Sequence, residues 1–113
     1  MEIGERLAVG SHGDFDAWLD AHGGEARDIW VVLYKKASGK QVVTYAELVE
    51  VALCHGWIDG QMKSIDHESF AQRFSPRRKR SNWTDTNRAL ARRLIAEGRM
   101  STAGRAALPE DMR

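Results

Sequence analysis

Trp57-Ile58-Asp59-Gly60-Gln61-Met62-Lys63-Ser64-Ile65-Asp66, then His67-Glu68-Ser69, then Phe70-Ala71-Gln72-Arg73-Phe74-Ser75-Pro76 is the stretch that decides the fold. The first run reads as an extended segment, with Gly60 marking a turn or bulge because glycine tolerates positive φ. In the second, Phe70, Gln72 and Phe74 share one face and Ala71 and Arg73 the other, the two-residue period of a strand. A turn at His67-Glu68-Ser69 joins them, so the pair is expected to be an antiparallel hairpin over Trp57–Asp66 and Phe70–Ser75. Pro76 ends it, lacking an amide donor and restricting Ser75.

Upstream, Ile29-Trp30-Val31-Val32-Leu33-Tyr34 is a short continuous run of β-branched and aromatic residues. It reads as a strand buried on both faces and closed by Lys35-Lys36 and the Ser38-Gly39 turn. These three strands are expected to form one small antiparallel sheet. Helices flank it. Asp14 is a candidate N-cap for Phe15, Trp18, Leu19 and His22, spaced i, i+3, i+4, i+7, with Gly23-Gly24 as the stop. In Val43-Thr44-Tyr45-Ala46-Glu47-Leu48, Thr44 and Glu47 have the spacing of a capping box and Val43 and Leu48 that of a hydrophobic staple, giving a helix from about Tyr45 to His55. Thr84 is the candidate cap of a third helix with Asp85 in its first turn and Leu90, Ala91, Leu94 and Ile95 on its buried stripe, stopped by Gly98. Ser101 can cap a short last helix that Pro109 ends. The order α-β-α-β-β-α-α predicts an α+β domain spanning 1–113, with a loose N-terminus over 1–11 and a linker-like 109–113.

The 113 residues suffice for one domain with its own core, and 42% hydrophobic against 29% charged residues is ordinary globular composition. No stretch approaches the length of a membrane span, and Met1-Glu2-Ile3-Gly4-Glu5 lacks the basic and apolar regions of a signal peptide. A single cysteine, Cys54, excludes an internal disulfide and fits a reducing compartment. A cytoplasmic location is therefore expected. The net charge of +1 conceals an asymmetry: residues 1–56 carry five Lys/Arg against nine Asp/Glu, residues 57–113 twelve against seven. Complementary faces of one fold account for this, as does an anion-binding surface with its counterweight.

Arg77-Arg78-Lys79-Arg80, bracketed by Phe74 and Trp83, is the most conspicuous chemical feature. Guanidinium groups grip phosphate oxygens in pairs and aromatic faces stack bases. The plainer alternatives are a solvated loop paired with the acidic half and Trp83 as a core anchor. Arg88, Arg92, Arg93 and Arg99 extend the charge, yet no recognition-helix or RNA-binding signature accompanies them. Asp59, Asp66, His67, His55 and Cys54 are the remaining candidates for a metal or acid/base cluster. They lack HExxH or paired CxxC spacing, and Cys54 reads better as a buried small hydrophobe, so no metal or cofactor is expected. No glycine-rich phosphate loop is present, and Asn82-Trp83-Thr84 is a glycosylation sequon without secretory context.

The string Ala52-Leu53-Cys54-His55-Gly56-Trp57-Ile58-Asp59-Gly60-Gln61, with Lys63, Ile65-Asp66, Gln72-Arg73-Phe74-Ser75-Pro76-Arg77-Arg78, Ser81-x-Trp83-Thr84-x-x-Asn87 and Gly98-Arg99-Met100, resembles the YdeI/OmpD-associated family. The likeness covers about residues 14–108, including Trp30-x-x-x-Tyr34-x-Lys36 and Thr44-Tyr45-x-Glu47. It implies a bacterial protein associated with bacteriocin protection or antimicrobial stress, with no agreed enzymatic reaction. Many members continue into a helical C-terminal region after a Pro-Glu-Asp linker, whereas this chain stops at Pro109-Glu110-Asp111-Met112-Arg113. On matched positions, the resemblance implies a shared surface of Trp57, Asp59, Gln61, Lys63, Arg73, Arg77, Ser81, Trp83 and Asn87, without a catalytic role. Those residues also serve equally well as fold-fixing groups, with Asp59 receiving backbone or Arg73 hydrogen bonds and Asn87 satisfying the loop before its helix.

The expected function is a non-catalytic module that binds an anionic ligand or an acidic protein partner through the hairpin and basic loop. Arg73, Arg77 and Arg78 supply charge, and Trp57 and Trp83 an apolar or stacking wall. Three other readings stay open: an enzyme whose pocket gathers Asp59, Lys63, Arg73 and Asn87 around a carboxylate base, a nucleic-acid binder, and a homodimer or other interaction module.

Overall fold

The long apolar run from Ile29 forms the central strand of a sheet, because both of its edges are occupied. The computed structural model describes residues 3–78 and 82–113. In chain order the elements are β1 (Arg6–Ala8), α1 (His12–His22), β2 (Ile29–Tyr34), α2 (Tyr45–Cys54), β3 (Trp57–Ser64), β4 (Ser69–Pro76), α3 (Asp85–Ala96) and α4 (Thr102–Ala106). One four-stranded mixed sheet has the order β1-β2-β4-β3. The architecture is the α+β class expected, with one strand more than the three foreseen. The extra strand, Arg6–Ala8, lies within the stretch expected to be loose and runs parallel to β2, Leu7 opposite Val31. Three residues are too few to show a period, so only the open edge of β2 reveals them as a strand.

The hairpin forms as read, with β3 ending at Ser64 and β4 running from Ser69 through Pro76. Its bulge lies at the expected glycine: Asp59 stands opposite Phe74 and Met62 opposite Gln72, so one extra residue is accommodated around Gly60-Gln61. The carbonyls the bulge turns aside are not abandoned. The buried Gln72 amide nitrogen donates to Gly60 O at 2.8 Å and Gln61 O at 3.2 Å, which explains a polar side chain between two phenylalanines on the inner face of a strand.

The capping box of α2 is complete: Thr44 Oγ1 accepts the Glu47 amide at 3.2 Å and Glu47 Oε1 accepts the Thr44 amide at 3.0 Å. Thr84 and Ser101 cap α3 and α4 as expected. The first helix departs from expectation. It begins at His12 after Ser11, and Asp14 sits within its first turn, its carboxylate accepting the Gly10 amide at 2.7 Å.

Two apolar clusters divide the interior, and α2 belongs to both. On one side Leu48, Val51 and Ala52 pack with Phe15 and Leu19 of α1 against Ile29, Val31, Leu33, Trp57 and Phe74 of the sheet. On the other, Leu53 and Cys54 pack with Ala91 and Leu94 of α3, Met100 and Leu108. A helix with apolar residues on most of its circumference is one covered from both sides. The molecule is correspondingly elongated, 43 × 26 × 26 Å. The last residues, 109–113, lie along the second cluster, where Glu110–Met112 form a 3-10 turn, Met112 packs against the cluster and Asp111 pairs with Arg88 at 2.9 Å. Among the described residues no helix is long and apolar enough to cross a membrane.

Candidate functional site: an arginine-lined cleft

The end of α2 is where the two halves of the molecule are joined, and the joint leaves a cleft. Helix α2 gives way to β3 through Gly56, whose φ of +76° lies in the left-handed region that favours glycine. The Gly56 carbonyl accepts the Arg77 amide at 2.9 Å, fixing the exit of β4 beside the entry of β3. Two residues earlier, the Cys54 carbonyl accepts both the Ser101 amide at 2.9 Å and the Ser101 hydroxyl at 2.8 Å. These bonds bring α4 hard against the end of α2. Gly104 permits the approach, since a Cβ there would stand 2.0 Å from Cys54 O.

The resulting cleft has a volume of about 440 Å³. Gly56 and Trp57 line it, as do Gly23 at the end of α1 and Pro76 at the end of β4. Ala103, Ala106 and Ala107, on and just beyond α4, line one part of it, and three arginines, Arg77, Arg78 and Arg113, line it as well. No Asp or Glu is among its described lining residues. Arg77 lies over Trp83, its guanidinium carbon 4.0 Å from the ring centroid, a cation–π contact that orients the group. Burial pushes the Arg77 guanidinium below its ordinary pKa, with the Asp59 charge acting in the opposite direction; an arginine so placed is still cationic at neutral pH. Arg113 is tethered through Nε to Leu108 O at 3.0 Å. His55 completes the lining; its side chain is 9% exposed, with Nε2 2.7 Å from Asp16 Oδ1 and Nδ1 3.8 Å from Asp20 Oδ1.

Of the residues singled out from the sequence, Trp57, Arg77 and Arg78 line this cleft and Trp83 supports it. Trp57 plays a different part from the stacking wall expected of it: at 2% exposure it is a core residue, edge-on to Trp18 with ring centroids 5.9 Å apart. Asp59 does not bond Arg73. It accepts a short hydrogen bond from the Tyr45 hydroxyl, and burial, then that bond, pushes the Tyr45 pKa up to about 12. Arg73 instead pairs with Asp28 at 3.0 Å, in a position that keeps it out of the cleft.

The pocket of Asp59, Lys63, Arg73 and Asn87 does not form. Because of the bulge, Asp59 lies opposite Phe74 and Lys63 opposite Ala71, three residues apart on β4, so the two side chains leave opposite faces of the sheet. Gln61 is exposed at the bulge, and Asn87 stands in the first turn of α3 with its amide donated to Thr84 Oγ1 at 3.1 Å. Ser81, together with Lys79 and Arg80 of the basic run, lies outside the described residues. Cys54 is buried, and burial raises its thiol pKa, which removes thiolate character. No group of three or more His, Cys, Asp or Glu among the described residues could hold a metal ion.

Sequence reading missed His55 as a cleft residue, and Arg113 and the alanine wall altogether. One signal was available: a glycine at position 104, inside a helix where it costs roughly 1 kcal/mol against alanine, marks a close backbone approach.

The molecule is thus an α+β domain that presents a cationic cleft at the junction of its sheet and its C-terminal helices. The domain of unknown function DUF8412 matches residues 7–107, and the chain belongs to that family. No curated protein and no solved structure matches it.

Proposed function

We propose that this domain is a binding module that captures a small anionic ligand in the cleft of Arg77, Arg78 and Arg113, without chemistry of its own. The observation that carries this reading is the convergence of three arginines from two distant parts of the chain on one cleft, with no Asp or Glu among its described lining residues. Concavity favours a small ligand over an acidic protein surface, which would need a broad patch. The likeness to the stress-associated YdeI/OmpD proteins is compatible with this role and names no ligand.

An extended nucleic-acid strand is a poorer fit. Tracking a phosphate backbone needs a continuous cationic stripe, and three of the four arginines that would continue one are already paired: Arg88 with Asp111, Arg93 with Glu50 and Glu97, Arg99 with the same two glutamates. The enzyme reading lacks its pocket, as described above.

Trp83 beneath Arg77 serves as a built-in reporter. Titrating nucleotides, polyphosphate and short single strands into the wild type and an Arg77→Ala/Arg78→Ala variant, at two salt concentrations, is expected to give saturable fluorescence changes with the compact anions only. The variant loses them while its circular dichroism stays unchanged. Unaltered binding in a folded variant refutes the assignment.

A further inference from the structure

The chemistry of the cleft walls narrows the ligand further than its charge alone. Three arginines offer more donors and more charge than a lone carboxylate can use, whereas a phosphate monoester carries about −1.5 to −2 charge at neutral pH and three acceptor oxygens. Each guanidinium fork can take two of those oxygens. Two of the three groups are held in advance, Arg77 by Trp83 at 4.0 Å and Arg113 by the Leu108 carbonyl at 3.0 Å, which lowers the ordering cost of binding.

The rest of the lining is not built for a bare ion. Ala103, Ala106 and Ala107 bring no polar side chain, and Pro76 adds a further apolar residue to the lining. A volume of about 440 Å³ exceeds what one phosphate fills and lies toward the lower end of small-molecule sites, roughly 300–1,000 Å³. Small residues at three positions of one wall keep that space open. Gly56 and Gly104 keep the wall where it is, since a Cβ on either would collide with the backbone across the joint, at 2.9 Å from Ala103 O and 2.0 Å from Cys54 O respectively.

We propose that the cleft takes the phosphate monoester of a small apolar or aromatic alcohol, the phosphoryl group on Arg77, Arg78 and Arg113 and the organic group against the alanine wall. This rests on the anion-binding reading above and adds to it the ester class and the requirement for an apolar substituent. A diester strand is excluded from full engagement because it has a single charge per phosphate and must leave the cleft at both ends.

Isothermal titration calorimetry of the full chain against phenyl phosphate, inorganic phosphate, phenyl sulfate and a short single-stranded oligonucleotide separates the possibilities. Phenyl phosphate is expected to bind roughly tenfold more tightly than inorganic phosphate, through the apolar area it buries, and roughly tenfold more tightly than the singly charged phenyl sulfate. Arg78→Ala, an exposed position, weakens all of the anions. Ala106→Phe, also exposed, fills the apolar side and removes the advantage of phenyl phosphate while sparing inorganic phosphate. Equal affinity for phenyl phosphate and inorganic phosphate, or for phenyl phosphate and phenyl sulfate, overturns this inference and leaves the anion-binding reading intact. Tighter binding of the oligonucleotide overturns it in favour of a strand. Absence of binding by every anion overturns both.

Discussion

Replacing Gly104 by alanine sets helix propensity against tertiary packing, and the two predict opposite signs. Alanine is favoured over glycine inside a helix by roughly 1 kcal/mol, so local reasoning alone expects Gly104→Ala to stabilise α4. The structure expects the reverse. The new Cβ would lie 2.0 Å from Cys54 O and 2.7 Å from Cys54 C, where real Cβ atoms stay beyond 3.0 Å, so α4 and the end of α2 must part by about 1 Å. The obstacle is backbone, which cannot swing aside as a side chain can. Parting stretches the two bonds that Ser101 donates to the Cys54 carbonyl, now 2.9 and 2.8 Å, beyond useful length. Losing them costs about 1 kcal/mol each, and the overpacking itself about 1–3 kcal/mol. After the propensity gain is set against these, a net destabilisation of about 2–4 kcal/mol remains, a large share of the roughly 5–15 kcal/mol that holds a domain together. Urea unfolding followed by tryptophan fluorescence measures it as a lower midpoint at unchanged slope. A variant as stable as the wild type, or more so, refutes the close-approach account of Gly104 and with it the fixed position of the alanine wall.

Two further predictions concern residues the cleft does not use. In an alkaline titration a tyrosine phenolate is expected to form only near pH 12 in the wild type, and that late component should vanish in Tyr45→Phe. Because the folded value lies above the ordinary tyrosine value of 10.0, the stability tied to the neutral hydroxyl is complete below about pH 10 and is lost as pH rises toward 12; a late component that persists in the variant assigns the shift elsewhere. Arg73→Ala should leave anion binding unchanged and cost less than about 1 kcal/mol, since its partner Asp28 is half-exposed and such pairs contribute little. A loss of binding in that variant would return Arg73 to the site.

Where the fold was legible in the sequence, the signal was local. The capping box at Thr44 and Glu47, the bulge glycine at position 60, the proline that closes β4 and the hydroxyl caps of α3 and α4 each act within four residues, so spacing alone reveals them. The six-residue run from Ile29 is similarly self-evident because a central strand is apolar on both faces. β1 was not, since a three-residue edge strand has too few side chains to show alternation.

The site divides along the same line. Arg77 and Arg78 are visible in the sequence as neighbours in a charge run, and both line the cleft. The pocket expected around Asp59, Lys63, Arg73 and Asn87 needed Asp59 and Lys63 on one face of β3, and the single residue inserted at the bulge puts them on opposite faces. Most of the elements, their caps and stops, and the concentrated cationic segment are encoded locally along the chain. That His55, Arg77, Arg113 and the alanines of α4 border the same cleft follows from long-range packing alone. Those residues are far apart along the chain, and they meet because α2 is buried on two sides and two glycines let backbone pack against backbone at its end, a long-range contact that no local periodicity encodes.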